Sequence, residues 1–189
     1  MTGGGSETSA FVPSNCKFPG YAVKTLYYSM SGSVDANWQS AFMDARNWWN
    51  AANNDVRFVP FGPNNPPNFS VQQQIAGSTN WNNDTCPGGA PGPGSFMMIS
   101  TDANGNGTTT QARATIVHEL GHAGGLNHVT QPMYCGDTVG PGFQQPKAVM
   151  KTGANASEGQ MWAFINCGGV LPPYVDDNNG INYVFPGGK

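Results

Sequence analysis

The sequence predicts an α/β fold in one domain of 189 residues. Three observations point to it. Short β-branched and aromatic runs recur through the first half of the chain and read as strands. A longer segment among them carries apolar residues at helical spacing. A second helix is implied by two histidines four residues apart, with Gly124-Gly125 just beyond to end it.

The elements follow in order. Val23 to Met30 is a run rich in β-branched and aromatic side chains and reads as the first strand. Ser33 or Asp35 can cap the helix that follows. Its apolar positions are Trp38, Ala41, Phe42, Ala45, Trp48, Trp49 and Ala52, one helical stripe suited to a core. Val56 to Phe61 is a second strand, stopped by prolines, and Phe69 to Ala76 a third. Residues 77–94 are loop-rich around Trp81, and Phe96 to Ser100 is a short buried strand. The next helix should run from Thr108 to Gly124, with threonines at its cap. Beyond it the chain is irregular until Ser157 and Gln160, a capping box. The helix opened there would carry Met161, Trp162, Phe164 and Ile165 and close at Gly168-Gly169. Tyr174-Val175 and Ile181 to Phe185 read as a hairpin around Asn179-Gly180.

Composition narrows the function. Charged residues are 10% of the chain and the net charge is −3, so there is no basic surface for nucleic acid. No apolar run approaches the ~20 residues of a membrane span. Gly 26 and Pro 15 imply many turns. The polar surface is built from Asn, Gln, Ser and Thr, as is common in secreted proteins. Residues 1–12 contain no apolar signal core, so a secreted form has already lost its signal peptide.

The three histidines of the chain all lie in one eleven-residue window, His118-Glu-Leu-Gly-His122-Ala-Gly-Gly-Leu-Asn-His128. The pattern is H-E-x-x-H-x-x-G-x-x-H. His118 and His122 are just over one helical turn apart, about 6 Å along the axis, and can share one Zn²⁺. Glu119 sits off that line, in reach of a metal-activated water but badly placed to ligate. The glycines let the chain turn so that His128 returns as third ligand. Three protein ligands leave a position for water, which marks a catalytic site. The reaction class is peptide-bond hydrolysis, with Glu119 as general base and no covalent intermediate. Two other readings stay open: a zinc hydrolase of a non-protein amide such as peptidoglycan, and a non-catalytic protein stabilised by its metal.

With this motif the chain resembles the metzincin clan of zinc metalloproteases, snapalysin-like and matrixin-like secreted enzymes being nearest. Leu26-Tyr27-Tyr28, Trp38 to Phe42 and Trp48-Trp49-Asn50 resemble their opening strand and helix. His128 stands where snapalysins carry Asp. The resemblance implies a twisted, mostly parallel sheet with two main helices above a cleft. It also implies an irregular lower subdomain with a C-terminal helix. Residues 1–22 would be an N-terminal extension, 23–127 the upper subdomain and 128–189 the lower. A methionine turn is expected at Met150, with Met133 the alternative. Thr152 stands where astacin-like members have a tyrosine. Residues 77–83 would line the cleft and take substrate as an added antiparallel strand.

Cys16, Cys86, Cys135 and Cys167 suit two disulfides in an oxidising compartment. Three pairings are possible. Cys16–Cys86 with Cys135–Cys167 is favoured, because the second would brace the Met150 segment. A rival role for Cys16, in Cys16-Lys17-Phe18-Pro19, is an inhibitory thiolate like that of matrixin propeptides. Structural Ca²⁺ is a further possibility at Asp102 to Gly107 or Asp176 to Gly180, both turns first. The expected partner is a protein or peptide substrate, cleaved by a monomer without nucleic acid or membrane.

Overall fold

The computed structural model describes residues 12–13, 25–52, 56–75, 79–82, 95–101, 110–128, 133–134, 145–146 and 175–184. In chain order the strands are β1 (Val12–Pro13), β2 (Thr25–Met30), β3 (Arg57–Pro60), β4 (Phe69–Gln74), β5 (Asn80–Asn82), β6 (Phe96–Ser100), β7 (Leu126–Asn127), β8 (Met133–Tyr134) and β9 (Gln145–Pro146). The helices are α1 (Ala36–Ala51), α2 (Thr110–Ala123) and α3 (Val175–Val184).

The architecture is mixed α/β around a five-stranded sheet, in the order β3-β2-β4-β6-β5. The pairs β2–β3, β2–β4 and β4–β6 are parallel, and β5 joins β6 antiparallel at one edge. Parallel neighbours need a crossover, and α1 supplies it between β2 and β3. Asp35 starts that helix: its carboxylate Oδ1 accepts from the N–H groups of Asn37 and Trp38, each at 3.0 Å. The other oxygen, Oδ2, accepts from Gln73 on β4 at 3.0 Å, which ties the helix start to the sheet.

Strand alternation gives the sheet one buried face, carrying Leu26, Tyr28, Phe58, Phe69, Val71, Met97, Ile99 and Trp81. Helix α1 lies on it through Trp38, Ala41, Phe42, Ala45 and Trp49, the stripe expected from the sequence. Phe42 meets Tyr28 edge-on at 4.8 Å, and Phe69 meets Trp81 the same way at 5.1 Å. Helix α2 packs beside α1, burying Ile116, Val117 and Leu120.

Most expected strands and helices match within a few residues. One does not. Residues 175–184 form helix α3, not a hairpin. The buried positions are Asp177, Gly180, Ile181 and Val184, spaced three, four and seven apart. That is a helical period, and packing against β1, β7 and Gly124 overrides the turn preference of Asn179-Gly180. The Asp176 to Gly180 calcium turn is overturned with it, because those residues are helical. Strand β5 gives residues 80–82 regular structure inside the stretch expected to be loop.

Met150, the four cysteines Cys16, Cys86, Cys135 and Cys167, the Asp102 to Gly107 turn and the Ser157 to Gly169 helix lie outside the described residues. Met133 falls in β8, which pairs with β9. No helix among the described residues is long and apolar enough to cross a membrane.

Candidate metal centre

Helix α2 presents His118 and His122 from one face, both buried. The helix closes with Gly124 N–H donating to Leu120 O and Gly125 N–H to His122 O, each at 2.9 Å. Gly125 has φ 86°, the left-handed conformation that glycine adopts without penalty. The chain reverses there and enters β7, which pairs antiparallel with β1 in the register Val12 with Asn127. His128 follows directly and turns back on the helix.

The three imidazoles meet. His128 Nε2 lies 3.0 Å from Nε2 of His118 and 3.0 Å from Nε2 of His122. The ligand atoms of the three rings all lie within 4.8 Å of one another, a group that could hold a metal ion. Zinc–nitrogen bonds of about 2.0–2.1 Å in tetrahedral geometry call for donors roughly 3.3–3.4 Å apart. The observed spacing is within a few tenths of an ångström of this, and three imidazoles suit zinc chemically. Among the described residues no other group of three or more potential ligands is formed.

The electrostatics favour neutral rings. Burial, then the nearby His118 and His128, lowers the His122 pKa well below its usual value. Burial also lowers that of His128. His122 Nδ1 lies 2.8 Å from the carbonyl of Leu126, which can only accept. Nδ1 therefore carries the proton and Nε2 keeps its lone pair toward His128. That carbonyl orients the ring as supporting acceptors do in metal sites.

Glu119, next to His118 in the chain, is buried, and burial raises its carboxyl pKa from 4.5 to about 8. Its backbone carbonyl accepts from Trp81 Nε1 at 3.0 Å. Two positions earlier, Val117 O accepts from Trp49 Nε1 at 2.9 Å.

The three histidines expected from the sequence, His118, His122 and His128, come together in space, and Glu119 lies on the same helix as the first two. The sequence reading missed the indole of Trp81, the support from β1 and the buttress from α3. For α3 a signal existed in the three-four spacing of Asp177, Gly180, Ile181 and Val184. For the other two no local pattern pointed to a partner so distant in sequence.

Fold and triad define a mixed α/β protein with a three-histidine site at the end of a buried helix. No model of a known protein family matches the chain, and no curated protein sequence does. Among solved structures, a chain of the GM1-bound form of the ECX AB5 holotoxin is similar in fold. It has a TM-score of 0.55 and 14% identity over 96% of this chain and 87% of that one. A second is high choriolytic enzyme 1, a hatching-enzyme zinc protease from the medaka fish Oryzias latipes. Here the TM-score is 0.40 with 18% identity over 60% of this chain. The match spans about half of that enzyme, 49% of its chain.

Proposed function

We propose that the chain is a zinc-dependent endopeptidase. The observation that carries this reading is the convergence of three imidazole nitrogens at the helix that also carries buried Glu119, whose carboxyl has no hydrogen-bond partner among the described residues. A purely structural metal site has no use for Glu119. His118, His122 and His128 would hold the ion. Zinc supplies Lewis acidity there, acidifying water and polarising a scissile carbonyl. Glu119 takes the proton from the attacking water and returns it to the leaving amine. Burial raises the pKa of this carboxyl to about 8 in the metal-free chain, and a bound cation would favour the carboxylate form that the base role needs.

The even cysteine count and sparse charge support secretion into an oxidising compartment. We further propose a monomer in which one catalytic domain divides near His128 into upper and lower parts. Met150 is proposed as the methionine turn beneath the site.

The test combines metal analysis with a general protease assay on casein, alongside purified cell walls. The wild-type protein should carry one zinc and lose casein hydrolysis on chelation. Glu119→Ala should keep its zinc and lose turnover by orders of magnitude, whereas His118→Ala should lose both. Casein hydrolysis that survives Glu119→Ala or the chelator refutes the mechanism. Hydrolysis of cell walls alone replaces the peptidase reading with the amidase one.

A further inference from the structure

The most exposed requirement of this site is the placement of Glu119. The three imidazoles hold positions against one another. The Glu119 carboxylate has no hydrogen-bond or ion-pair partner among the described residues. Its location depends on its own torsions and on how α2 is rotated about its axis. Two indoles donate to carbonyls of α2, and only one of them holds Glu119 itself. Trp49 reaches Val117 O from α1, and Trp81 reaches Glu119 O from edge strand β5. Carbonyls two residues apart lie about 200° apart around a helix, so the two indoles act from opposite sides. Each uses the lone pair that the helical hydrogen bond leaves free.

We propose that Trp81 is a positioning residue for Glu119, its indole N–H fixing the rotation of α2 relative to edge strand β5. The proposal rests on the reading of Glu119 as the base. Trp81 is well suited to the task. Its ring is buried, pairs across the strands with Met97 and packs edge-on against Phe69, so the donor is rigid. The geometry also makes the effect large. A side-chain tip lies about 5–6 Å from a helix axis, so a rotation of about 10° moves it about 1 Å. A misplacement of about 1 Å in a catalytic group can lower the rate about a hundredfold. The histidine side chains can absorb the same rotation through their torsions, whereas the Glu119 carboxyl has no second anchor among the described residues.

The experiment compares Trp81→Phe with Trp49→Phe in the full chain. The second removes the same kind of bond to a carbonyl two residues away, and so measures what loss of a structural bond does by itself. Both variants should keep one equivalent of metal, an unchanged visible spectrum after cobalt substitution, and melting points a few degrees lower. Trp81→Phe should lower kcat ten- to a hundredfold with KM within about twofold. Trp49→Phe should change kcat less than threefold. Benzothienylalanine at position 81 keeps the shape of the indole without its N–H. It should reproduce the kcat loss with no folding defect, and Trp81→His, which keeps a ring N–H, should recover part of the rate. The carbonyl ¹³C resonance of Glu119 should shift in the variants that lack the donor.

A kcat within threefold of wild type for the benzothienyl protein overturns the proposal. So does an equal loss in Trp49→Phe, or loss of metal in Trp81→Phe. Wild-type protein that binds zinc but cleaves no peptide overturns the peptidase reading itself, and this proposal with it.

Discussion

Replacing Glu119 by glutamine should make the metal-free protein more stable, and increasingly so as pH rises. Burial lifts the carboxyl pKa from 4.5 to about 8. The folded pKa is therefore the higher one. Between those limits the folded chain holds a proton that the unfolded chain releases, so stability falls as pH climbs. At about 1.4 kcal/mol per pKa unit the full gap amounts to about 5 kcal/mol, reached only above pH 8. Between pH 5 and 7 the expected loss is about 2–3 kcal/mol, or about 5–10 °C in melting temperature for a chain of this size. His122 and His128 act in the opposite sense. Their lowered pKa values make the unfolded chain the stronger proton binder below about 6.5, so their contribution rises with pH up to that point. Both proteins share this contribution, and it cancels in the difference. Urea unfolding in EDTA at pH 5, 6, 7 and 8 measures it. The gap between Glu119→Gln and wild type should widen over this range and flatten above pH 8. Saturating zinc should shrink it, because a nearby cation favours the carboxylate. A gap independent of pH would mean that Glu119 is already ionised at pH 5. The buried, unpartnered carboxyl described above would then be wrong.

Three further substitutions probe the frame of the site. Gly125→Ala forces a side chain into φ 86° and should cost about 1–2 kcal/mol. It should also weaken zinc binding roughly tenfold or more in a competition titration, because that turn aims His128. Gly124→Ala places a methyl group against Ile181 Cδ1, with Gly121 O at 3.3 Å. It should cost about 1–3 kcal/mol in thermal melts, and Ile181→Val, which removes Cδ1, should relieve much of that in the double variant. Asp35→Ala removes the cap of α1 and should cost about 1 kcal/mol by urea unfolding. Its zinc content and kcat should stay unchanged, since that helix end carries no part of the site.

What could be read from the sequence tracks how local each interaction is. Helix α1 was legible because its stripe from Trp38 to Trp49 repeats at one period and Asp35 caps it from three residues away. The histidine window was legible because its spacing places two rings on one helical face and its glycines supply the reversal. Helix α3 was misread for a physical reason. Asn179-Gly180 carries strong turn chemistry, and only burial of Ile181 and Val184 against distant segments makes the helix win. Strand β5 carries no pattern of its own, because three residues, Asn80–Asn82, have no period to detect, and only the family resemblance pointed to residues 77–83. Its pairing with β6 and the indole bond to Glu119 O are what define it.

The triad is thus less self-contained than its motif suggests. The helix alone can place His118 and His122. Bringing His128 Nε2 to 3.0 Å from each requires three further conditions. Gly125 must adopt a left-handed turn, Leu126 must stay where its carbonyl holds His122, and Asn127 must pair with Val12. Helix α3 closes over Gly124 and leaves that position no room for a side chain. The eleven-residue window therefore encodes which atoms meet, while residues near both ends of the chain determine whether they stay together. Any ion bound by all three rings is consequently linked to the docking of β1 and α3, and its binding energy stabilises those distant contacts as well as the site.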